Sequence, residues 1–178
     1  MKNKLEQVSI RMVEAPPLFS DVKIDSPEAA IRVLAGELNG YDREVVCIVN
    51  LQSDMRPINF NIVSIGMINS VCVSVKDIMK SAILSNAANV ILIHNHPSGN
   101  LIPSHDDIRI TDALQRTCEL LSIPLLDHVI IGGGNNKTYY SFREKKLMNF
   151  SSIRFAENVN EINFKSAERK KQYARELY

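Results

Sequence analysis

At 178 residues, with 21 basic against 20 acidic side chains, the chain can bury one sizeable core and has no overall electrostatic pull toward nucleic acid or a membrane surface. Hydrophobic content of 45% and charged content of 23% fit a soluble globular protein, and no apolar run suits a bilayer span or a signal peptide. The three cysteines, Cys47, Cys72 and Cys118, form no CxxC pair and read as reduced core residues of a cytoplasmic protein.

Residues 1–24 read as an N-terminal extension in which "VSIRMVEAPPLF" predicts an edge strand closed by its two prolines. "SPEAAIRVLAGELNG" predicts a helix: Ser26 caps it, Pro27 suits the first helical position, and Asn39-Gly40 stops it. Ile31, Leu34 and Leu38 fall on its buried face. "EVVCIVNL" and "INFNIVSIG", joined by the polar "QSDMRP", predict a hairpin. "VKDIMKSAILSNAA" predicts an amphipathic helix with Ile78, Ala82 and Ile83 inward. "NVILI" has the continuous apolar character of a strand buried on both faces. "HDDIRITDALQRTCELL" predicts the longest helix, with Ile108, Ala113 or Leu114, and Leu121 on its inner side. "IPLLDHVIIGG" and "KTYYSF" complete the strands. Alternating strands and helices predict an α/β layered fold. From about Met148 the composition shifts, and Lys165, Arg169, Lys170, Lys171 and Arg175 mark residues 149–178 as a basic terminal helix.

The chemistry gathers in "NVILIHNHPSGNLIPSHDD". Side chains on an extended segment alternate faces, so His94 and His96 point the same way from a strand end and converge as a ligand pair. The Pro97-Ser98-Gly99 turn can swing the next helix back beside them, which makes His105, Asp106 and Asp107 candidates for a third ligand. Ser104 and Asp107 also match a capping box, in which Asp107 would only satisfy a backbone N–H. Two imidazoles and a carboxylate would leave a fourth zinc position open, the mark of a catalytic site. Such a site still needs a proton carrier. Glu44, at the start of an apolar strand, is the best placed, and Glu37 is its competitor.

"HNHPSGNLIPSHDD" resembles the JAMM (MPN+) metalloprotease signature H-x-H-P-x-G-x3-P-S-x2-D, with His94, His96, Pro97, Gly99, Pro103, Ser104 and Asp107 in register. "PSHDDIRITDAL", "LLDHVIIG" and "GMINSVCVSVKDIMKSAILSNAANVILIHNHPSG" resemble its RadC-like branch. The likeness covers roughly residues 25–148. It implies a three-layer α/β/α fold similar to cytidine deaminases, with a mixed sheet between helices. It further implies zinc at His94, His96 and Asp107, Glu44 as the acid/base, and Ser104 as a donor to the oxyanion. Asp127 and His128 belong to the resemblance as residues hydrogen-bonded behind the site. Full-length RadC-like proteins carry a helix-hairpin-helix-type region where this chain has about 24 residues.

The leading expectation is a zinc-dependent peptidase or isopeptidase acting on a peptide or isopeptide-linked protein. The alternative is an interaction or DNA-repair module with a structural metal and weak DNA association. No membrane partner is expected, and an unpaired edge strand could support a homodimer. Nucleobase deamination is excluded, because it needs H-x-E with a downstream P-C-x-x-C, and His96 stands where that glutamate would be.

Overall fold

The computed structural model describes residues 22–38, 40–66, 73–132 and 138–148. The expected N-terminal strand, Cys72 and the basic tail lie outside the described residues. The elements in chain order are α1 (Pro27–Leu38), β1 (Val45–Leu51), β2 (Pro57–Ile65), α2 (Val75–Leu84), β3 (Asn89–His96), α3 (His105–Leu120), β4 (Leu125–Gly132) and β5 (Tyr139–Ser141). Ser26 Oγ accepts the Ala29 amide at 3.2 Å, which fixes the start of α1 behind Pro27.

The strands form one sheet in the order β2-β1-β3-β4-β5. β1 pairs antiparallel with both β2 and β3, β3 runs parallel to β4, and β5 returns antiparallel along β4. The parallel β3–β4 pair requires a crossover, and α3 supplies it. Both sides of the sheet are covered. On one side, Ile31, Leu34 and Leu38 of α1 join Cys47, Val49, Ile91 and Ile93 in a core. On the other, Ile78, Ala82, Leu114 and Cys118 of α2 and α3 join Val46, Ile48, Leu92 and Ile130. The result is the expected three-layer α/β/α arrangement around a mixed sheet.

β3 is the middle strand, buried at every position after Asn89, which explains the unbroken apolar run in its sequence. Alternation along it puts Leu92, His94 and His96 toward α2 and α3, and Ile93 and Asn95 toward the opposite face. Leu92 is fully buried, and truncating such a leucine to alanine costs about 2–5 kcal/mol. The histidines are therefore held at the end of the buried central strand.

Two helix faces differ from expectation. In α2 the buried residues are Ile78, Met79, Ser81 and Ala82, while Ile83 is exposed. Ile83 lies roughly 140° around the helix from Ile78, past the edge of the inward stripe. In α3 the buried residues are Asp107, Thr111, Leu114, Gln115 and Cys118, while Ile108 and Ala113 face outward. Leu121 is the C-cap residue and is exposed as well. The inward stripe of α3 opens with polar side chains, so apolar spacing found Leu114, one of its two alternatives, and misplaced Ile108 and Leu121.

Candidate metal centre

The end of β3 brings two imidazole nitrogens together. His94 Nε2 lies 2.9 Å from His96 Nε2 and 3.2 Å from Asp107 Oδ1. One ligating atom from each of the three residues falls within 4.8 Å of the others. A tetrahedral zinc with bonds of 2.0–2.1 Å has ligand–ligand edges of roughly 3.3 Å, so the three donors fit such an ion. Their burial fits too: His94, His96 and Asp107 are all buried.

The turn after β3 fixes the state of His96. Gly99 N–H donates to the His96 carbonyl at 2.9 Å, with Gly99 at φ +75°, a left-handed conformation that glycine adopts without strain. This returns the Asn100 carbonyl to within 2.5 Å of His96 Nδ1. A carbonyl only accepts, so Nδ1 carries the hydrogen and the Nε2 lone pair faces His94 and Asp107. Gly132, paired with His96 across β3–β4, lets this loop approach. A Cβ there would meet Leu101 Cδ2 at 3.1 Å and Thr138 Oγ1 at 2.7 Å.

Asp107 arrives on the first turn of α3, and the two readings of it coexist. Its Oδ2 accepts the Ser104 amide and the Ser104 hydroxyl, both at 2.7 Å, while Ser104 Oγ accepts the Asp107 amide at 3.1 Å. That is a complete capping box. Its Oδ1 is left to face His94. Capping thus aims the carboxylate instead of competing with ligation. The Ser104 hydroxyl hydrogen is given to Asp107, so donating to an oxyanion requires it to turn away from the carboxylate.

Glu44 lies just before β1, with Oε1 4.0 Å from His96 Nε2 and its side chain 34% exposed. It borders both the metal donors and solvent. Its placement comes from Asn95, the residue between the two histidines. Asn95 Oδ1 accepts the Val45 amide at 2.7 Å, and its Nδ2 donates to the Arg43 carbonyl at 3.2 Å. The residues on either side of Glu44 are thereby clamped to the strand that carries His94 and His96. Glu37 is on the exposed face of α1 and His105 is exposed. Asp106 faces Arg109 at 3.5 Å and is not gathered with the donors.

Behind the donors, His94 Nδ1 is 2.8 Å from His128 Nε2, and His128 Nδ1 is 2.6 Å from Thr111 Oγ1. Phe142 stacks on the His128 ring at 4.8 Å and 10°. Burial pushes the His94 imidazole down to about 4, opposed by the Asp107 carboxylate and reinforced by His96. Burial holds His128 well below its ordinary value, and His94 and His96 add to the effect. With His94 neutral, its 3.2 Å approach to Asp107 is not an ion pair. Asp127 turns away from the donors: it accepts from Ser141 Oγ at 2.6 Å and from the amides of Arg143 and His128 at 3.0 and 2.7 Å. Burial nonetheless raises its carboxyl above the usual value, outweighing those hydrogen bonds. Thr111, Asn95 and Asn100 were not singled out from the sequence. Thr111 had a legible signal, being one helical turn after Asp107 on the same face.

A cavity of about 420 Å³ opens beside His94 and Asp107, walled by apolar Val46, Leu92 and Ile110 and by charged Asp106, Arg109 and Asp112. Among the described residues no helix is long and apolar enough to cross a membrane.

A family model described as the RadC-like JAB domain matches residues 24–147. The chain belongs to the RadC-like JAB domain family. It is 40% identical over 128 residues to a UPF0758 protein of Pseudoalteromonas translucida, covering 72% of this chain and 56% of that one. It is 37% identical over 130 residues to a UPF0758 protein of Clostridium acetobutylicum, covering 73% and 56%. A UPF0758 protein of Actinobacillus pleuropneumoniae is 37% identical over 124 residues, covering 70% and 55%. The chain thus spans a little over half the length of these RadC-like relatives. All of the gathered donors fall inside the matched span.

Proposed function

We propose that this RadC-like domain is a zinc-dependent hydrolase of peptide or isopeptide bonds. The observation that carries the reading is the convergence of His94 Nε2, His96 Nε2 and Asp107 Oδ1, with the Glu44 carboxylate beside them on the solvent side. Two imidazoles and one carboxylate suit zinc, and three protein ligands are typical of catalytic centres, whereas structural zinc is usually held by four. Zinc bound there would polarise a carbonyl and lower the pKa of water.

The remaining work falls to the chain's own side chains. Glu44 takes the proton from the attacking water and returns it to the leaving nitrogen, a shuttle its partial exposure and 4.0 Å approach to His96 support. Ser104, turned from Asp107, donates to the negative oxygen that develops on the carbonyl. The cavity beside His94, with both apolar and charged walls, would take a substrate side chain next to the scissile bond.

The test is to incubate zinc-loaded chain with linear and lysine-branched peptide libraries and read new termini by mass spectrometry. Wild type should generate new termini, and Glu44→Gln should generate none while holding the same zinc. Termini that persist in Glu44→Gln, or fail to form with fully loaded wild type, overturn the reading.

A further inference from the structure

We propose that His128 and Thr111 are positioning residues that lock His94 in its ligating tautomer, through a hydrogen-bonded circuit that begins and ends on Asp107. This rests on the metal reading above. The direction of every hydrogen in the circuit follows from one fixed acceptor and from a neutral His128, the state favoured for a fully buried imidazole whose hydrogen-bond partners include no carboxylate. The Asp107 carbonyl cannot donate, and Thr111 Oγ1 lies 2.5 Å from it, so the threonine hydroxyl hydrogen goes there. With that hydrogen committed, Thr111 Oγ1 can only accept from His128 Nδ1, which therefore carries N–H. A neutral imidazole has one N–H, so His128 Nε2 is an acceptor. It takes the hydrogen of His94 Nδ1. His94 Nε2 is left with its lone pair, directed at His96 Nε2 and Asp107 Oδ1.

The circuit spans three elements. Asp107 and Thr111 sit one turn apart on the inward stripe of α3, His128 is on β4, and His94 is on β3. Asp107 contributes its side chain to the donor set and its main chain to the origin of the circuit. The helix that delivers the carboxylate also sets the protonation pattern of the histidine opposite it. His128 is fully buried and stacked on Phe142, with Thr111 and His94 as its two hydrogen-bond partners.

The experiment uses the full chain as wild type, Thr111→Val and Thr111→Ser. Zinc affinity is measured by competition with a chromophoric chelator, and ring tautomers by long-range proton–nitrogen NMR. Removing such a supporting partner typically weakens metal binding by roughly 10–100-fold, which is the loss expected for Thr111→Val. Thr111→Ser keeps the hydroxyl and should restore affinity to near wild type. The spectra should show His128 and His94 both protonated at Nδ1. Unchanged affinity in folded Thr111→Val, or no rescue by serine, overturns the proposal. So does a His128 protonated at Nε2 in wild type, a readout that needs no variant to fold. Wild type that takes up no zinc contradicts the metal reading instead, while the His128 tautomer in that same sample still decides the circuit.

Discussion

Asn95 Oδ1 accepts the Val45 amide at 2.7 Å, so the residue between the two metal-donor histidines holds the residue that follows Glu44. Neighbouring residues of β3 therefore serve opposite faces of the sheet. The histidines gather with Asp107 toward α3, and the asparagine pins the segment around Glu44 from the other side. Asn95 thereby ties the position of Glu44 to the strand that carries His94 and His96.

Replacing Asn95 should separate catalysis from metal binding. In Asn95→Ala the buried Val45 amide loses its acceptor, at a cost of about 1–3 kcal/mol. Zinc content should match wild type, because no donor is touched. Hydrolysis should fall on the order of tenfold or more, since a small displacement of a catalytic group is enough for that. Denaturant midpoints, metal analysis and turnover on one set of samples check all three. Undiminished turnover would show that Glu44 is positioned by something else.

Ser104 has a stability role that can be read without any substrate. Its side chain satisfies the Asp107 amide and gives its hydrogen to Asp107 Oδ2. Ser104→Ala should lower stability by about 0.5–2 kcal/mol, the usual loss for an N-cap. It should also weaken zinc binding, because Asp107 loses a contact that aims its carboxylate. Ser104→Thr should retain most of both properties. Urea unfolding with and without zinc distinguishes the two effects, and equal losses in both conditions would confine Ser104 to capping.

Asp127 predicts a pH dependence with a definite sign. Burial raises its folded-state value above the ordinary 3.8, against the hydrogen bonds it accepts and the nearby Arg143 charge. The folded state then binds the proton more tightly than the unfolded chain, so this group's contribution falls as pH rises from 3.8 through the folded value. Asp127→Asn removes the titration and can keep Oδ1 facing the two amides. Relative to wild type, the variant should gain stability between acid and neutral pH. A stability difference that moves the other way across that range would contradict the assignment.

Much of this was legible in the residues because strands and caps follow local rules. The apolar run of β3, the Pro27 start of α1 and the pairing of Ser104 with Asp107 all have short-range causes. The face of α3 was legible only at Leu114, for a physical reason: Asp107, Thr111 and Gln115 occupy buried positions that periodicity assigns to apolar side chains. A helix that serves a polar site hides its inward stripe from a hydrophobicity count. Thr111 and Asn95 were missed for a related reason. Each acts through a partner distant in sequence, His128 in one case and the Arg43–Val45 backbone in the other.

Cysteine reactivity gives a check on the layered core. Burial pushes the thiols of Cys47 and Cys118 up to about 12, and they sit on opposite faces of the sheet. At mildly alkaline pH both should resist alkylation in the native chain and react fully in urea, since only the thiolate is nucleophilic. Peptide mapping of the alkylated sites reads each separately. Rapid native labelling of Cys47 would mean that the α1 face of the sheet opens.

His94, His96 and Asp107 are expected to hold one zinc ion jointly. Elemental analysis of purified wild type, beside His96→Ala and Asp107→Ala, decides this. Wild type should carry about one zinc per chain, as in a mononuclear site, and each variant should lose most of it. Wild type that binds no zinc from a buffered excess, or variants that hold as much as wild type, would contradict it.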